Sequence, residues 1–165
     1  MHSRAAIKTA IVAALMGTTN AGVKIYPARY LSLPESLLPA ICVFTPLETI
    51  ADSDSLNYLR TCTVKIECIA EGFDSESESI LDVLSAQAER ALAIDITLGG
   101  VVKSLKLKKV DTGEDPGADR DILATVMTYE AEYRSASYYN GTFDDLKTVT
   151  ADYNRGKASD TIDLT

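Results

Sequence analysis

The chain has no tryptophan and a single histidine, His2, so a folded body has no imidazole to offer a catalytic triad or a histidine metal cluster. Cysteine is sparse: Cys42, Cys62 and Cys68 are odd in number, and the C-x5-C step between the last two matches no common zinc spacing. Positive charge is also short. Sixteen Lys and Arg face 24 Asp and Glu, a net charge of −8, which leaves no general basic face for phosphate. No apolar run approaches the ~20 residues of a membrane span. Phosphate-cradling glycine loops, the nucleophile elbow and the H-x-E signature are all missing. A non-enzymatic chain is expected, with no catalytic, cofactor-binding or metal-ligating residue to assign.

What is present is enough for a core. The 165 residues are 46% hydrophobic, include eight Tyr and three Phe, and have a mean hydropathy of +0.02. A chain of this size buries roughly two thirds of its unfolded surface on folding. On an alternating strand Cys62 and Cys68 share a side, where thiols behave as small hydrophobes, so all three are expected buried and reduced. A disulfide through Cys42 is the alternative and needs an oxidising compartment.

The first twenty residues admit two readings. Arg4 and Lys8 precede the apolar stretch Thr9–Met16, and Thr19-Asn20-Ala21 resembles a weak cleavage site, as in a secretory signal. The favoured reading is an amphipathic helix with Ser3 as N-cap, Ile7, Ile11 and Leu15 as its stripe, and Gly17 as its stop.

Beyond a flexible turn at 17–22, Val23–Pro27 reads as a short strand with Val23 and Ile25 on one face. Residues 30–39 read as a proline-punctuated loop, and Ala40–Thr45 as a strand stopped by Pro46. A polar connection over 49–55 leads to the strongest strand signal, 57–70. There Tyr58, Cys62, Val64, Ile66, Cys68 and Ala70 share one side, with Thr61, Thr63, Lys65 and Glu67 on the other. The two strands are expected to pair as a hairpin. Ser75 and Glu78 have capping-box spacing ahead of a helix running to about Ile94. Gly99-Gly100 marks a turn into strand 101–110, and a polar loop at 111–119 returns to a last strand, 122–134. On that strand Leu123, Met127, Tyr129, Ala131 and Tyr133 alternate with Thr128, Glu130 and Glu132. The order α-β-β-β-α-β-β predicts an α+β fold, a mainly antiparallel twisted sheet with two helices on one face. This domain spans 1–135.

Residues 136–165 carry a net charge of −2 yet hold Tyr138, Tyr139, Phe143 and Tyr153, more aromatics than a plain linker carries. They read as an extended C-terminal arm that docks through those four side chains. The acidic groups fail as metal sites: Asp52 and Asp54 lack the Gly and Glu of a calcium loop, and nothing fixes the geometry of Asp111–Asp121. Charge is nonetheless segregated. Residues 71–82 carry five acids and no base, and residues 103–109 carry four lysines and no acid. Solvated faces are one explanation. The other is a head-to-tail contact in which Lys103, Lys106, Lys108 and Lys109 of one copy meet Glu76 and Glu78 of the next.

The layout resembles the tail terminator proteins of long-tailed bacteriophages, the family of the lambda minor tail protein U. The likeness lies in the helix 5–15 leading into Val23-Lys-Ile-Tyr-Pro27, the strand Leu38–Thr45, and the polar-edged strand Thr61–Ile69. It continues through the acid-capped helix 75–94 and the strand Met127–Arg134, and spans about residues 4–134. The resemblance implies a homo-oligomeric ring, a hexamer, that caps the tail tube, ends its polymerisation and joins the tail to the head connector. Its partners would be itself, the tail tube protein and the connector, with DNA passing through the lumen without specific binding. No cofactor or membrane is implied. Its place would be the head-proximal end of the virion tail, after synthesis in the host cytoplasm. Two alternatives remain at this point: another connector or tube protein, or a small secreted or periplasmic binding domain if residues 1–21 are a signal.

Overall fold

The computed structural model describes residues 3–28, 33–52, 57–72, 74–114, 122–136, 148–152 and 159–163. Helix α1 (Ser3–Leu15) is rich in alanine, the best helix former, and turns Ile7, Ile11 and Leu15 fully inward. Gly17, at φ +75°, follows it in the left-handed conformation that glycine adopts freely. Strand β1 is only Ile25–Tyr26. Ile25 is buried as expected, but Val23 is 79% exposed rather than sharing its face. The turn closed by the Lys24 N–H on the Ala21 carbonyl swings Val23 outward before the strand begins.

Strand β2 (Ala40–Asp52) runs straight through Pro46, where the sequence pattern predicts a stop. Phe44 pairs with Lys65 and Leu47 with Thr63, so β2 holds one extra residue in between. Pro46 sits within this bulge, where its missing N–H costs no ladder bond. Strand β3 (Asn57–Glu71) pairs antiparallel with β2, as the hairpin reading expects. Helix α2 (Ser75–Ile94), strand β4 (Ser104–Glu114) and strand β5 (Ile122–Ala136) complete the domain. The sheet order is β1-β2-β3-β5-β4, antiparallel except for the short parallel β1–β2 pair.

Both helices cover the same sheet face, which gives the predicted α+β architecture. Ile7, Ile11 and Leu15 of α1 and Leu81, Leu84, Ala88 and Leu92 of α2 close over Cys62, Val64, Ile66, Cys68, Met127 and Ala131. Alternation along β3 is as read: Cys62 to Ala70 point in on the even positions. Tyr58, at the strand start, is only partly covered. The opposite face has a small core of its own, Cys42, Ile69 and Ile122 under Tyr26, Leu33, Leu38 and Phe44. Part of the proline-rich 30–39 segment is therefore a lid on the second face as well as a loop. A short 3-10 turn at Glu35–Leu37 lets it double back before Ala40.

All three cysteines are buried and none is in a disulfide. Burial pushes the Cys62 thiol up to about 11 and the Cys68 thiol to about 12, so both stay protonated at neutral pH. Within the C-terminal region, β6 (Thr148–Asp152) and β7 (Ser159–Asp163) pair with each other as a separate antiparallel ladder.

Ile11 is wholly enclosed between α1 and the sheet, so Ile11→Ala leaves a cavity. It should cost about 2–5 kcal/mol of unfolding free energy, read by urea titration, whereas Ala13→Ser on the exposed side should stay within about 0.5 kcal/mol.

Candidate subunit interface

The acidic stretch is built by the end of β3. Gly72 lies at φ +95°, and a Cβ there would meet the Ser77 Oγ at 2.8 Å, so the chain needs glycine to turn from strand to helix. Asp74, one residue earlier than the capping box predicts, is the N-cap of α2. Its Oδ1 accepts from the Ser77 N–H at 2.8 Å and the Ser77 hydroxyl at 2.8 Å. The Ser77 hydroxyl also reaches the Glu71 carbonyl at 2.5 Å, tying the helix start to the strand end. Those hydrogen bonds, led by the Ser77 N–H, hold the Asp74 carboxyl below its ordinary range. Glu76 and Glu78 stand exposed in the first turn, where the helix dipole favours negative charge.

The lysines lie along the outermost strand. Lys103 precedes β4 and donates its backbone N–H to the Glu132 carbonyl at 2.7 Å, while its Nζ pairs with Glu132 Oε1 at 2.7 Å. This bond, first among the causes, lowers the Glu132 carboxyl. Lys108 pairs with Glu130 at 2.9 Å and Lys109 with Asp111 at 2.7 Å. Lys106 is exposed and makes no ion pair among the described residues. The lysines thus come together on one edge, and their partners within the chain are Glu130, Glu132 and Asp111, not Glu76 or Glu78. These exposed pairs are screened by solvent and exchange readily. Tyr138, Tyr139, Phe143 and Tyr153 lie outside the described residues.

Among the described residues the sheet ends in two open edges. Leu107 pairs with Tyr129 and Lys109 with Thr128, so Lys108 is an extra residue in β4. β2 carries its bulge at Pro46, and β1 covers only its first residues. Bulges, lysines and a proline on edge strands are devices that hinder uncontrolled strand addition.

A polar cluster escapes the sequence reading. Arg60 donates from Nη1 to Glu48 Oε2 at 2.7 Å and from Nε to the Ser135 hydroxyl at 2.7 Å, and Tyr133 donates its hydroxyl to Glu48 Oε1. Both charged side chains are nearly buried, and burial together with Glu48 pushes the Tyr133 phenol up to about 12. Arg4 of α1 reaches over to the Thr45 carbonyl at 3.1 Å. The available signal was phase: Arg60 lies in the same alternation as Tyr58 and Cys62, a charged residue on the inward side.

Among the described residues no three His, Cys, Asp or Glu side chains gather closely enough to hold a metal ion. Asp54, Asp115, Asp119 and Asp121 lie outside those residues. A surface hollow of about 390 Å³ between the helices is lined by Ala10, Ala13, Ala14, Ala91, Ile94 and Leu98 with Asp95 and Gly99. The Asp95 carboxylate is already engaged by Thr97 and the Gly99 N–H.

No protein-family model matches the chain, and no curated protein matches it. Among solved structures, one chain described as "Virion of native gene transfer agent (GTA) particle" is similar at 16% identity and a TM-score of 0.40, covering 75% of this chain and 84% of that one.

Two outcomes follow from this geometry. The cap contributed by ionised Asp74 should be present at neutral pH and fade as pH falls through its lowered pKa, below the free value of about 3.9. Comparing unfolding curves from pH 7 to 2 should show that Asp74→Ala loses this acid-side component. Glu48→Ala leaves Arg60 unpaired and should cost about 3–5 kcal/mol, while Glu48→Leu with Arg60→Met should recover most of it in a denaturant titration.

Proposed function

We propose that this chain is the subunit of a closed ring, a hexamer, that caps the tube of a phage tail. In this reading the ring ends tube growth and joins the tail to the head connector. The observation that carries the proposal is the unlikeness of its exposed contact elements. Basic residues line the β4 edge, and acids crowd the start of α2, with no pairing between the two inside one chain. A surface that is not its own complement joins copies head to tail, and such contacts close into rings or run on as filaments. The resemblance of the sequence to tail terminators supports the closed form.

In this role the protein needs no reaction and no cofactor. Its interactions are with further copies of itself, with the tube protein and with the connector. Its net charge of −8 suits a lumen past which DNA slides without sticking. It would act at the head-proximal end of the virion tail after synthesis in the host cytoplasm. The secreted alternative is disfavoured, because loss of residues 1–21 would strip Ile7, Ile11 and Leu15 from the core.

The test is assembly. Light scattering after size exclusion should give the wild-type chain a ring mass. Lys106→Glu with Lys108→Glu should remain folded by circular dichroism yet run as a monomer. Added to growing tail tubes, the wild-type ring should shorten them. Intact rings from the double variant would remove the lysines from the interface, and tubes that incorporate the chain along their length would point to a tube protein instead.

A further inference from the structure

β6 and β7 make a sheet of two strands, and among the described residues no strand of the main sheet lies beside them. A lone two-stranded ladder is marginal in water, and a third strand supplies the hydrogen bonds and packed face that it lacks. The pair contains Asp152, Asp160 and Asp163 and no base. Along β6, Val149 and Ala151 fall on one face and Thr148, Thr150 and Asp152 on the other.

The main sheet has an edge of matching pattern. β4 is its outermost strand, with β5 on one side and no described strand on the other. α1 packs over β1 and β2, and α2 over β3 and β5, so two helices do not roof five strands. On the helix side of β4, Leu105 is buried and Leu107 is 38% exposed. Lys106 and Lys108 lie on the opposite face, the side of Glu130, to which Lys108 is paired. The open half of β2 matches less well, because Pro46 lacks an N–H and Glu48 and Asp52 repeat the charge of the β6–β7 pair. The helical acids Glu76 and Glu78 match the lysines in charge alone. A helix pairs its backbone groups within itself, whereas an extended strand bonds the free N–H and C=O groups of an edge.

We propose that β6 of one copy adds alongside Ser104–Lys108 of β4 in a second copy, so that the sheet continues across the subunit boundary. Alternation then places Val149 and Ala151 on the helix side with Leu105 and Leu107. It places Thr150 and Asp152 on the lysine side with Lys106 and Lys108. Both faces agree at once, and a slip of one residue would set Asp152 among the leucines. β7 is the poorer match, since Asp160 and Ile162 share a face there. The bulge at Lys108 closes the run, which limits an added strand to the five residues that β6 has. Lysines that deter strands in general admit one with acid on that face. The segment 137–147 spans at most about 40 Å, enough to reach an adjacent copy. The assignment rests on the ring reading above and names the segment that joins its copies. Backbone bonds give the joint its strength, and the alternating residues give its register.

The experiment uses the full-length chain. Thr150 and Lys106 are central in the two runs and come opposite each other whichever way β6 points. A protein carrying both Thr150→Cys and Lys106→Cys should form a ladder of covalent multimers on oxidation, while each single variant should form none. Thr150→Pro removes a backbone N–H from β6 and should raise the concentration for half-assembly at least tenfold by light scattering, with the thermal midpoint unchanged. Thr150→Val, which suits a strand, should assemble as the wild type does. A cross-link confined to monomers would mean that β6 fills its own edge, and a dimer from Lys106→Cys alone would mean a two-fold contact. Either overturns the proposal. So would wild-type rings that tolerate Thr150→Pro and give no cross-link in the double variant, a result that leaves the ring reading intact. A wild-type chain that stays monomeric at every concentration would remove the ring reading and this joint with it.

Discussion

Everything else in the domain is hung on the pairing of β3 with β5. Its register is unbroken from Asn57 opposite Ala136 to Glu71 opposite Ile122, the two strands at the centre of the sheet. Since a strand's side chains alternate, one register decides at a stroke that Cys62, Val64, Ile66 and Cys68 share a core with Met127, Tyr129 and Ala131. A slip by a single residue would carry Lys65 and Glu67 under the helices. Both ends of the pair are pinned by polar bonds. At one end Arg60 and Tyr133, register partners, converge on Glu48. At the other, the Glu71 carbonyl is held by Ser77 of α2, so the helix starts at a fixed height over the strand it covers.

The central strands were legible because nothing interrupts their alternation, and both helices were legible because their apolar stripes repeat at helical spacing. The edge strands were less so. β2 appears in the sequence as six residues ended by Pro46, since proline normally has no place in a ladder; the bulge that accommodates it depends on the facing strand, which local pattern does not reveal. Val23 was misplaced for a similar reason, because a turn closed by backbone hydrogen bonds leaves no mark on side-chain periodicity. The lid over Cys42 and Ile69 is set by tertiary packing of Leu33 and Leu38, and its prolines advertise only that the segment is irregular. At the candidate interface, charge segregation was visible as composition. The exposed state of Leu107 and Val110 was not, because it depends on how far two helices extend across five strands.

The result is a division between a rigid middle and adaptable margins. The core is closed off on one face by α1 and α2 and on part of the other by the 33–38 segment. Charged groups that meet inside it, Glu48 and Arg60, are held in fixed geometry. Those on the margin, Lys103, Lys108 and Lys109, rest in exposed pairs that a stronger partner can replace. Such a margin can exchange its pairs without disturbing the core.

The two bulges also set the phase of their strands. Ahead of Lys108, the odd-numbered Leu105 and Leu107 look toward the helices; after it, the even-numbered Val110 and Thr112 do, and Thr112 shares a hydroxyl contact of 3.0 Å with Thr125. β2 makes the same change of parity at Pro46, passing from Ile41 and Val43 to Glu48 and Ile50. The other long strands among the described residues, β3 and β5, keep one parity throughout. Gene length along these margins is therefore under a constraint that amino-acid identity does not express. Gaining one codon directly after Lys108, with the bulge kept, would turn Lys109 and Asp111 inward and Val110 outward, a reversal that no single replacement in β4 could produce.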